Sequence, residues 1–316
     1  MDDASELVKK LGSSDDYFER QKAAWDLVRL GEDALEVLVD ALESGEFSDL
    51  RYKSAWALGK IGSPRAVEPL SIALLNDPDR VVREWCAAAL EALKSPEAVR
   101  ALVLAMKRDS SKDVRLRAAM ALRNLGAADA LIELLRSPEP ETRGMAATGL
   151  GKLKCEEALP EVARLLGDDD VDVRQRAAAC LGDIARPEAL DPLSRALMDS
   201  GPEVREQVLK SLAQIKGERA CELALSALKD EEYGVRLTCV TTLGEIGHAK
   251  ALDPLVEVVF SQDDEEVRAW AAWSLGEIGD PRAIEPLTRA YKTCPMAVMK
   301  KARDSLVEVF KQELQK

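Results

Sequence analysis

The sequence predicts an all-α fold, an α-α superhelix built from about ten two-helix repeats. Three observations carry that expectation. A core of the form Val-Arg-x-x-Ala-Ala-x-x-Leu-Gly, as in Val173-Arg174-Gln175-Arg176-Ala177-Ala178-Ala179-Cys180-Leu181-Gly182, recurs along the chain. Its arginine falls at Arg20, Arg51, Arg83, Arg115, Arg143, Arg174, Arg205, Arg236 and Arg268, with Met299 in a tenth slot; successive spacings are 31, 32, 32, 28, 31, 31, 31, 32 and 31. Within each unit the apolar positions follow a helical period, and start and stop signals frame two helices.

The first element is a lone leading helix over residues 4–11, which the pattern marks as an N-terminal cap within residues 1–12. Each unit then opens with a helix A. Counting from the residue before the repeat arginine as i, apolar or small residues recur at i, i+4, i+5, i+8 and i+11, as in Leu50, Ser54, Ala55, Leu58 and Ile61. At 100° per residue these fill one side of a helix. Alanine at i+5 (Ala55, Ala87, Ala119, Ala147, Ala178, Ala272) permits close helix packing. An acid at i−3 (Asp79, Glu139, Asp170, Glu232, Asp264) can cap free N–H groups. Glycine at i+12 (Gly31, Gly62, Gly126, Gly247, Gly279) suits the left-handed residue after a helix.

A turn with Ser63-Pro64 or Asp280-Pro281 leads into helix B, which carries Leu70 and Leu74 at i+20 and i+24. A second proline at i+19 (Pro69, Pro192, Pro254, Pro286) has no N–H, so the regular helix is expected to begin near it. Neither helix can bury its apolar side alone, so hairpins must stack. The repeat arginine is expected to pair with helix-start acids of neighbouring units, forming a ladder.

The middle departs from the period. The turn after Gly126 is short, and the fifth unit holds Gly144, Gly149 and Gly151 within helix A. Each mid-helix glycine costs about 0.5–1 kcal/mol relative to alanine. A soft joint near residues 136–151 and ordinary drift between repeats both fit. Residues 297–316 form the C-terminal cap. The whole chain, 1–316, is expected to be one array, with repeats one to four over 13–136 and five to nine over 137–296.

Composition narrows the function. The formal net charge of −13 disfavours non-specific nucleic-acid binding and anionic membrane surfaces. No apolar run has membrane-spanning length, and the N-terminal stretch lacks the basic start and apolar segment of a secretory signal. Six dispersed cysteines with no Cys-x-x-Cys pair read as reduced thiols in a cytoplasmic protein. Cys86 and Cys239 fall in the core slot i+4. The one histidine, His248, occupies a helix-entry position and reads as a turn residue, not a base. Asp168-Asp169-Asp170-Val171-Asp172 lacks the glycine and distal glutamate of a calcium loop. Leu58-Gly59-Lys60-Ile61-Gly62-Ser63 lacks the spacing of a phosphate loop. No catalytic residue, metal ligand or cofactor is expected.

The run Val267-Arg268-Ala269-Trp270-Ala271-Ala272-Trp273-Ser274-Leu275-Gly276-Glu277-Ile278-Gly279-Asp280-Pro281-Arg282-Ala283-Ile284-Glu285-Pro286-Leu287 resembles HEAT repeats, specifically the short HEAT-like subtype of the phycobilisome lyase family. The resemblance covers nearly the whole chain. It implies a right-handed solenoid whose concave side is lined by helix B. Proteins of this kind include scaffolds, enzyme accessory subunits, bilin-attachment factors and a metal-dependent hydroxylase group. The hydroxylases hold two irons with paired His-Glu motifs; His248 is followed by Ala249 and no His-Glu occurs here, so that activity is not expected.

Two partner surfaces follow. The outward i+18, i+22 and i+25 positions of helix B place Arg100, Arg136, Arg164 and Arg195 along a groove, where arginine suits a carboxylate-bearing segment. The other reading is solvated arginine paired with neighbouring acids. On helix A, opposite the apolar stripe, lie Trp25 and Trp56 at i+6 and Trp85 at i+3, and Trp270 and Trp273 repeat this near the other end. Exposed tryptophan marks an interface anchor, or else fills gaps over neighbouring helices. The expected function is a non-enzymatic scaffold or adaptor binding another protein, or an acidic segment of one. The alternative is an accessory subunit or chaperone-like factor of a cofactor-attachment enzyme such as a bilin lyase. Oligomeric state is open.

Overall fold

The computed structural model describes residues 2–13 and 16–314. Met1 of the N-terminal cap, Ser14 and Asp15 of the first repeat, and Gln315 and Lys316 of the C-terminal cap lie outside the described residues. All regular structure among the described residues is helical. The chain divides into two compact units, residues 1–153 and 154–316.

The first unit opens with α1 (Asp2–Ser13), which buries Ala4 and Leu11 and packs on the first hairpin. The hairpins are α2 (Tyr17–Leu30) with α3 (Leu35–Ser44), α4 (Ser48–Ile61) with α5 (Val67–Asn76), α6 (Arg80–Leu93) with α7 (Ala98–Arg108), and α8 (Lys112–Asn124) with α9 (Ala128–Leu134); α10 (Pro140–Leu153) closes the unit. Each A helix packs on the next, α2 on α4, α4 on α6, α6 on α8, and α8 on α10. The B helices stack likewise, α3 on α5, α5 on α7 and α7 on α9.

The second unit begins with α11 (Leu159–Arg164). Its hairpins are α12 (Val171–Ile184) with α13 (Leu190–Ala196), α14 (Pro202–Ile215) with α15 (Gly217–Leu225), α16 (Tyr233–Ile246) with α17 (Leu252–Val259), and α18 (Glu265–Ile278) with α19 (Ile284–Thr293), followed by α20 (Met296–Leu314). The A helices again stack in sequence, α12 on α14, α14 on α16, α16 on α18 and α18 on α20.

The core follows the period. The i+8 leucines Leu27, Leu58, Leu90, Leu122, Leu150, Leu181, Leu212, Leu243 and Leu275 are all fully buried, as are Leu70, Leu102, Leu134, Leu193, Leu255 and Leu287 at i+20. Burying each such side chain stabilises by about 1.5–3 kcal/mol. Ala55, Ala87, Ala147, Ala178 and Ala272 are buried at i+5. The fifth-unit helix α10 is continuous, and Gly144, Gly149 and Gly151 are all buried within it.

Helix ends refine the expectations. Asp79 accepts from the Val81 N–H at 2.8 Å and Asp170 from the Val173 N–H at 3.1 Å. Glu232 and Asp264 make no side-chain cap bond, which corrects the expectation for both. The Asp264 carboxylate turns to Arg236 instead, at 3.1 Å, and the longer glutamate at 232 is a poor N-cap. Gly62, Gly247 and Gly279 end their helices in the left-handed region. Lys94, Lys154, Ala185 and Lys216 hold the same slot in other units at φ 53, 52, 55 and 61°.

Helix B starts with a 3₁₀ turn at Pro64–Ala66, Pro187–Ala189, Ala249–Ala251 and Pro281–Ala283. The α-helix begins two residues ahead of Pro69, Pro192, Pro254 and Pro286, whose missing N–H falls where a helix leaves donors free. His248 is a turn residue as expected: its Nδ1 accepts from the Lys250 N–H at 3.3 Å.

Candidate functional site

The repeat arginines do form ladders. In the first unit Arg51 donates Nε and Nη2 to the Asp77 carboxylate at 2.8 and 3.0 Å, and Arg83 does the same to Asp109 at 2.7 and 2.9 Å. In the second unit Arg174, Arg205 and Arg236 hold Asp199, Asp230 and Asp263 in the same way. The acids of these five pairs are not the caps, whereas Arg115 takes Glu141 in the first turn of α10 and Arg236 also reaches the helix-start Asp264 at 3.1 Å, as expected. The five acids sit in the linkers that leave helix B, two residues before Asp79 in the case of Asp77. The third guanidinium nitrogen takes a backbone carbonyl of the preceding linker: Arg83 Nη1 bonds Asp77 O and Arg205 Nη1 bonds Asp199 O, both at 2.8 Å. The linkers at Asp77, Asp109, Asp199 and Asp230 are therefore gripped twice, the carboxylate by one repeat and the carbonyl by the next.

Burial raises the Asp199 and Asp230 carboxyls, but their arginine bonds outweigh it. The Gly201 and Glu232 N–H groups add to those bonds, and both acids lie below the ordinary range. The arginines shift the other way for the same reason. These arginines are structural.

The groove candidates lie elsewhere, on or just past the B helices, and all four are exposed. Arg100 is on α7, and Arg136 follows α9. Arg164 ends α11 and Arg195 is on α13. The structure brings Arg164 and Arg195 to one open depression of about 520 Å³, lined also by Pro160, Pro192, Leu166 and Met198. Arg164 bonds Glu161 at 3.1 and 3.2 Å. The Arg195 guanidinium makes no hydrogen bond or ion pair among the described residues. Its helix presents it because Leu190 and Leu193 face the core, leaving i+22 outward. In the first unit Arg136 lines a separate depression of about 440 Å³ with Lys107, Arg108 and Glu133. Arg100 lines neither.

The tryptophans pair as adjacent-unit geometry suggests. Trp25 and Trp56 meet edge-to-face at 5.1 Å, and Trp25 is 51% exposed. Trp85 stacks on Tyr52 at 6.1 Å, a partner the sequence reading missed. Tyr52 is pushed up to about 12 by burial and by its bond to Asp49. In the second unit Trp270 and Trp273 meet edge-to-face at 5.3 Å, and Lys301 Nζ lies 3.9 Å over the Trp270 ring.

Among the described residues no group of three His, Cys, Asp or Glu could hold a metal ion. Cys86 and Cys239 are buried, which drives their thiols well above the ordinary value. No described helix is long and apolar enough to cross a membrane.

A second contact escaped the sequence reading. Gly182, Gly244 and Gly276, all at i+9, lie against Ser211, Ser274 and Ser305 of the next A helix. Ser211 and Ser274 each bond a carbonyl of the preceding helix, Ala178 O at 2.8 Å and Val240 O at 2.7 Å. The recurring glycine and the serine 29 or 30 residues after it were the available signal.

The family model for HEAT repeats matches residues 4–91, 68–132, 99–178, 128–197, 162–234 and 222–307. No curated protein matches the chain. Among solved structures, Kap95p in its complex with RanGDP is similar at TM-score 0.68 and 13% identity, over 97% of this chain and 50% of that one. Yeast importin-beta (Kap95p) is similar at TM-score 0.61 and 14% identity over the same shares, so the chain spans half of that protein's length. The complex of CpcE and CpcF of phycocyanin lyase from Nostoc is 28% identical over 70% of this chain and 91% of that one, at TM-score 0.36. With a tandem match that runs over nearly all of its length, and with two-helix modules stacked A on A, the chain belongs to the HEAT repeat family, an all-α superhelical solenoid.

Proposed function

We propose that this protein is a non-enzymatic scaffold that binds a partner protein by laying an acidic segment of it along the B-helix surface at Arg164 and Arg195. The observation that carries this is the exposed Arg195 guanidinium. It has no partner among the described residues and stands beside Arg164 over an open depression with apolar walls. A guanidinium fork suits a carboxylate, and Met198, 87% exposed, adds flexible apolar contact. Arg100 and Arg136 offer the same chemistry in the first unit. The fold itself serves protein binding in Kap95p, which binds RanGDP.

The test is a labelled oligoglutamate, with oligolysine as control, titrated against the full chain and its Arg164→Glu/Arg195→Glu variant. Affinity capture from the native cell extract with both proteins runs in parallel. Binding of oligoglutamate that the charge reversal abolishes supports the proposal. Partner capture and peptide binding that survive the reversal unchanged would sink it.

A further inference from the structure

The solvent face of the first unit's A helices differs in kind from that of the second. Trp25, Tyr52, Trp56 and Trp85 line it on α2, α4 and α6, and Leu116 and Met120 continue it on α8, 47% and 37% exposed. In the second unit the matching i+6 positions are Ala179, Lys210 and Thr241. Where tryptophans return, at Trp270 and Trp273, the chain's own Lys301 covers one ring. Among the described residues no cation lies over Trp25, Trp56 or Trp85, although Lys53 Nζ lies 5.8 Å over the Tyr52 ring.

Between Trp56 and Trp85 is a notch of about 150 Å³, floored by Gly59, Ala88 and Ala89 and rimmed by Lys60 and the exposed Ala92. Its floor is low because Gly59 has no Cβ. One built there would stand 2.8 Å from Ala89 Cα, so α4 and α6 approach closely at this point. The notch has room for one aliphatic side chain.

The charges around it do not balance. Asp26 is engaged by Arg29, Glu84 by Arg80, and Glu91 by Arg117. The Lys22 and Lys60 ammonium groups have no hydrogen bond or ion pair among the described residues. On a chain of net charge −13 this face keeps uncompensated positive charge beside its aromatic rings.

We propose that the face formed by α2, α4 and α6 docks an acidic partner segment that seats one aliphatic side chain between Trp56 and Trp85 and sets a carboxylate on Lys60. Burial of the aliphatic group supplies the anchor, and the flanking acids select the partner by charge. This surface lies in the first unit and does not rest on the Arg164–Arg195 groove.

The probe is a short fluorescein-labelled peptide with one leucine amid aspartates and glutamates, titrated against the full chain by anisotropy and tryptophan emission. Saturable binding is expected. It should fall about tenfold or more when the leucine becomes alanine. Lys60→Glu should lower it, with Lys60→Gln intermediate, and Ala92→Arg should block the notch from its exposed rim. Arg195→Glu should leave the tryptophan-emission titration unchanged, which separates this surface from the groove, where no tryptophan lies. Circular dichroism verifies that each variant folds. The proposal is overturned if no saturable binding occurs, if a lysine-substituted peptide binds equally well, or if Ala92→Arg has no effect. It is equally overturned if sedimentation shows the chain self-associating in a manner that Ala92→Arg abolishes, because a second copy would then be the occupant.

Discussion

Arg83 and Asp109 lie 26 residues apart in sequence and share two parallel hydrogen bonds, Nε to Oδ2 at 2.7 Å and Nη2 to Oδ1 at 2.9 Å. Their side chains are only 10% and 6% exposed. Removing one member leaves the other charge buried and alone, which costs about 3–5 kcal/mol for a well-buried pair. Arg83→Ala should lower the urea midpoint accordingly. Arg83→Lys should recover little, because an ammonium cannot reproduce the fork. The Arg83→Met/Asp109→Leu double variant should lie much closer to the wild type than either single change.

The ladder breaks at Cys294. This residue stands 26 positions after Arg268, where Asp77 and Asp109 follow Arg51 and Arg83 by the same interval. Arg268 instead gives Nε to Val259 O at 3.0 Å and leaves Nη2 3.9 Å from the Cys294 sulfur. Cys294→Asp should add a rung and raise stability by about 1 kcal/mol, read as a higher melting temperature. The gain should vanish in an Arg268→Ala background.

Acid should weaken the second unit through Asp199 and Asp230. Their folded-state carboxyls lie below the ordinary value, so the unfolded chain binds protons first as pH falls. The stabilisation they supply is complete above the unfolded pKa, about 4, and is lost progressively as pH drops through the lower folded value. Urea midpoints measured from pH 6 down to pH 3, roughly the window that spans the ordinary carboxylate pKa, should decline. The decline should be shallower in Asp230→Asn, which starts lower at neutral pH.

Gly244→Ala places a Cβ 2.7 Å from Ser274 Oγ and 2.9 Å from its Cα. Helix propensity alone would favour alanine by about 1 kcal/mol. Overpacking against a buried neighbour costs about 1–3 kcal/mol, and the backbone on one side cannot yield easily. A net loss is expected in thermal unfolding, with Gly244→Ala/Ser274→Gly recovering part of it.

Ala185 ends α12 at φ 55° and ψ 42°, a left-handed conformation that costs a residue with a Cβ about 1–2 kcal/mol. Glycine removes that strain but loses about 0.5–1 kcal/mol of unfolded-state entropy. Ala185→Gly should therefore stabilise slightly, by about 0.5–1 kcal/mol, and calorimetry would register it as a small upward shift.

The repeat was legible because one residue pattern serves every unit. Leu58 and Leu90 need only the helical period to be placed inside, and Gly62 and Gly247 need only their position after the last buried residue. The ladder was half legible. Arg51 and Arg83 stood out by recurrence, whereas Asp77 and Asp109 sat among many surface acids and competed with Asp79, whose capping role is local and easier to infer. The stack of Tyr52 on Trp85 joins α4 to α6, and no periodicity within one helix points to it. Of the groove candidates, sequence spacing placed Arg164 and Arg195 outward. That they border one depression depends on how α11 and α13 approach each other, which packing decides.

The double grip on the linkers at Asp77, Asp109, Asp199 and Asp230 makes those repeats interchangeable parts. Arg83 addresses Asp77 behind it by a carbonyl and Asp109 ahead of it by a carboxylate, and Arg205 does the same with Asp199 and Asp230. An extra copy of such a hairpin, inserted by duplication, brings a plug for the socket on one side and a socket for the plug on the other. Length can thus change by whole modules without redesigning a junction, and a module that arrives without its exit aspartate, as α18 and α19 do at Cys294, makes a poor place to extend the series.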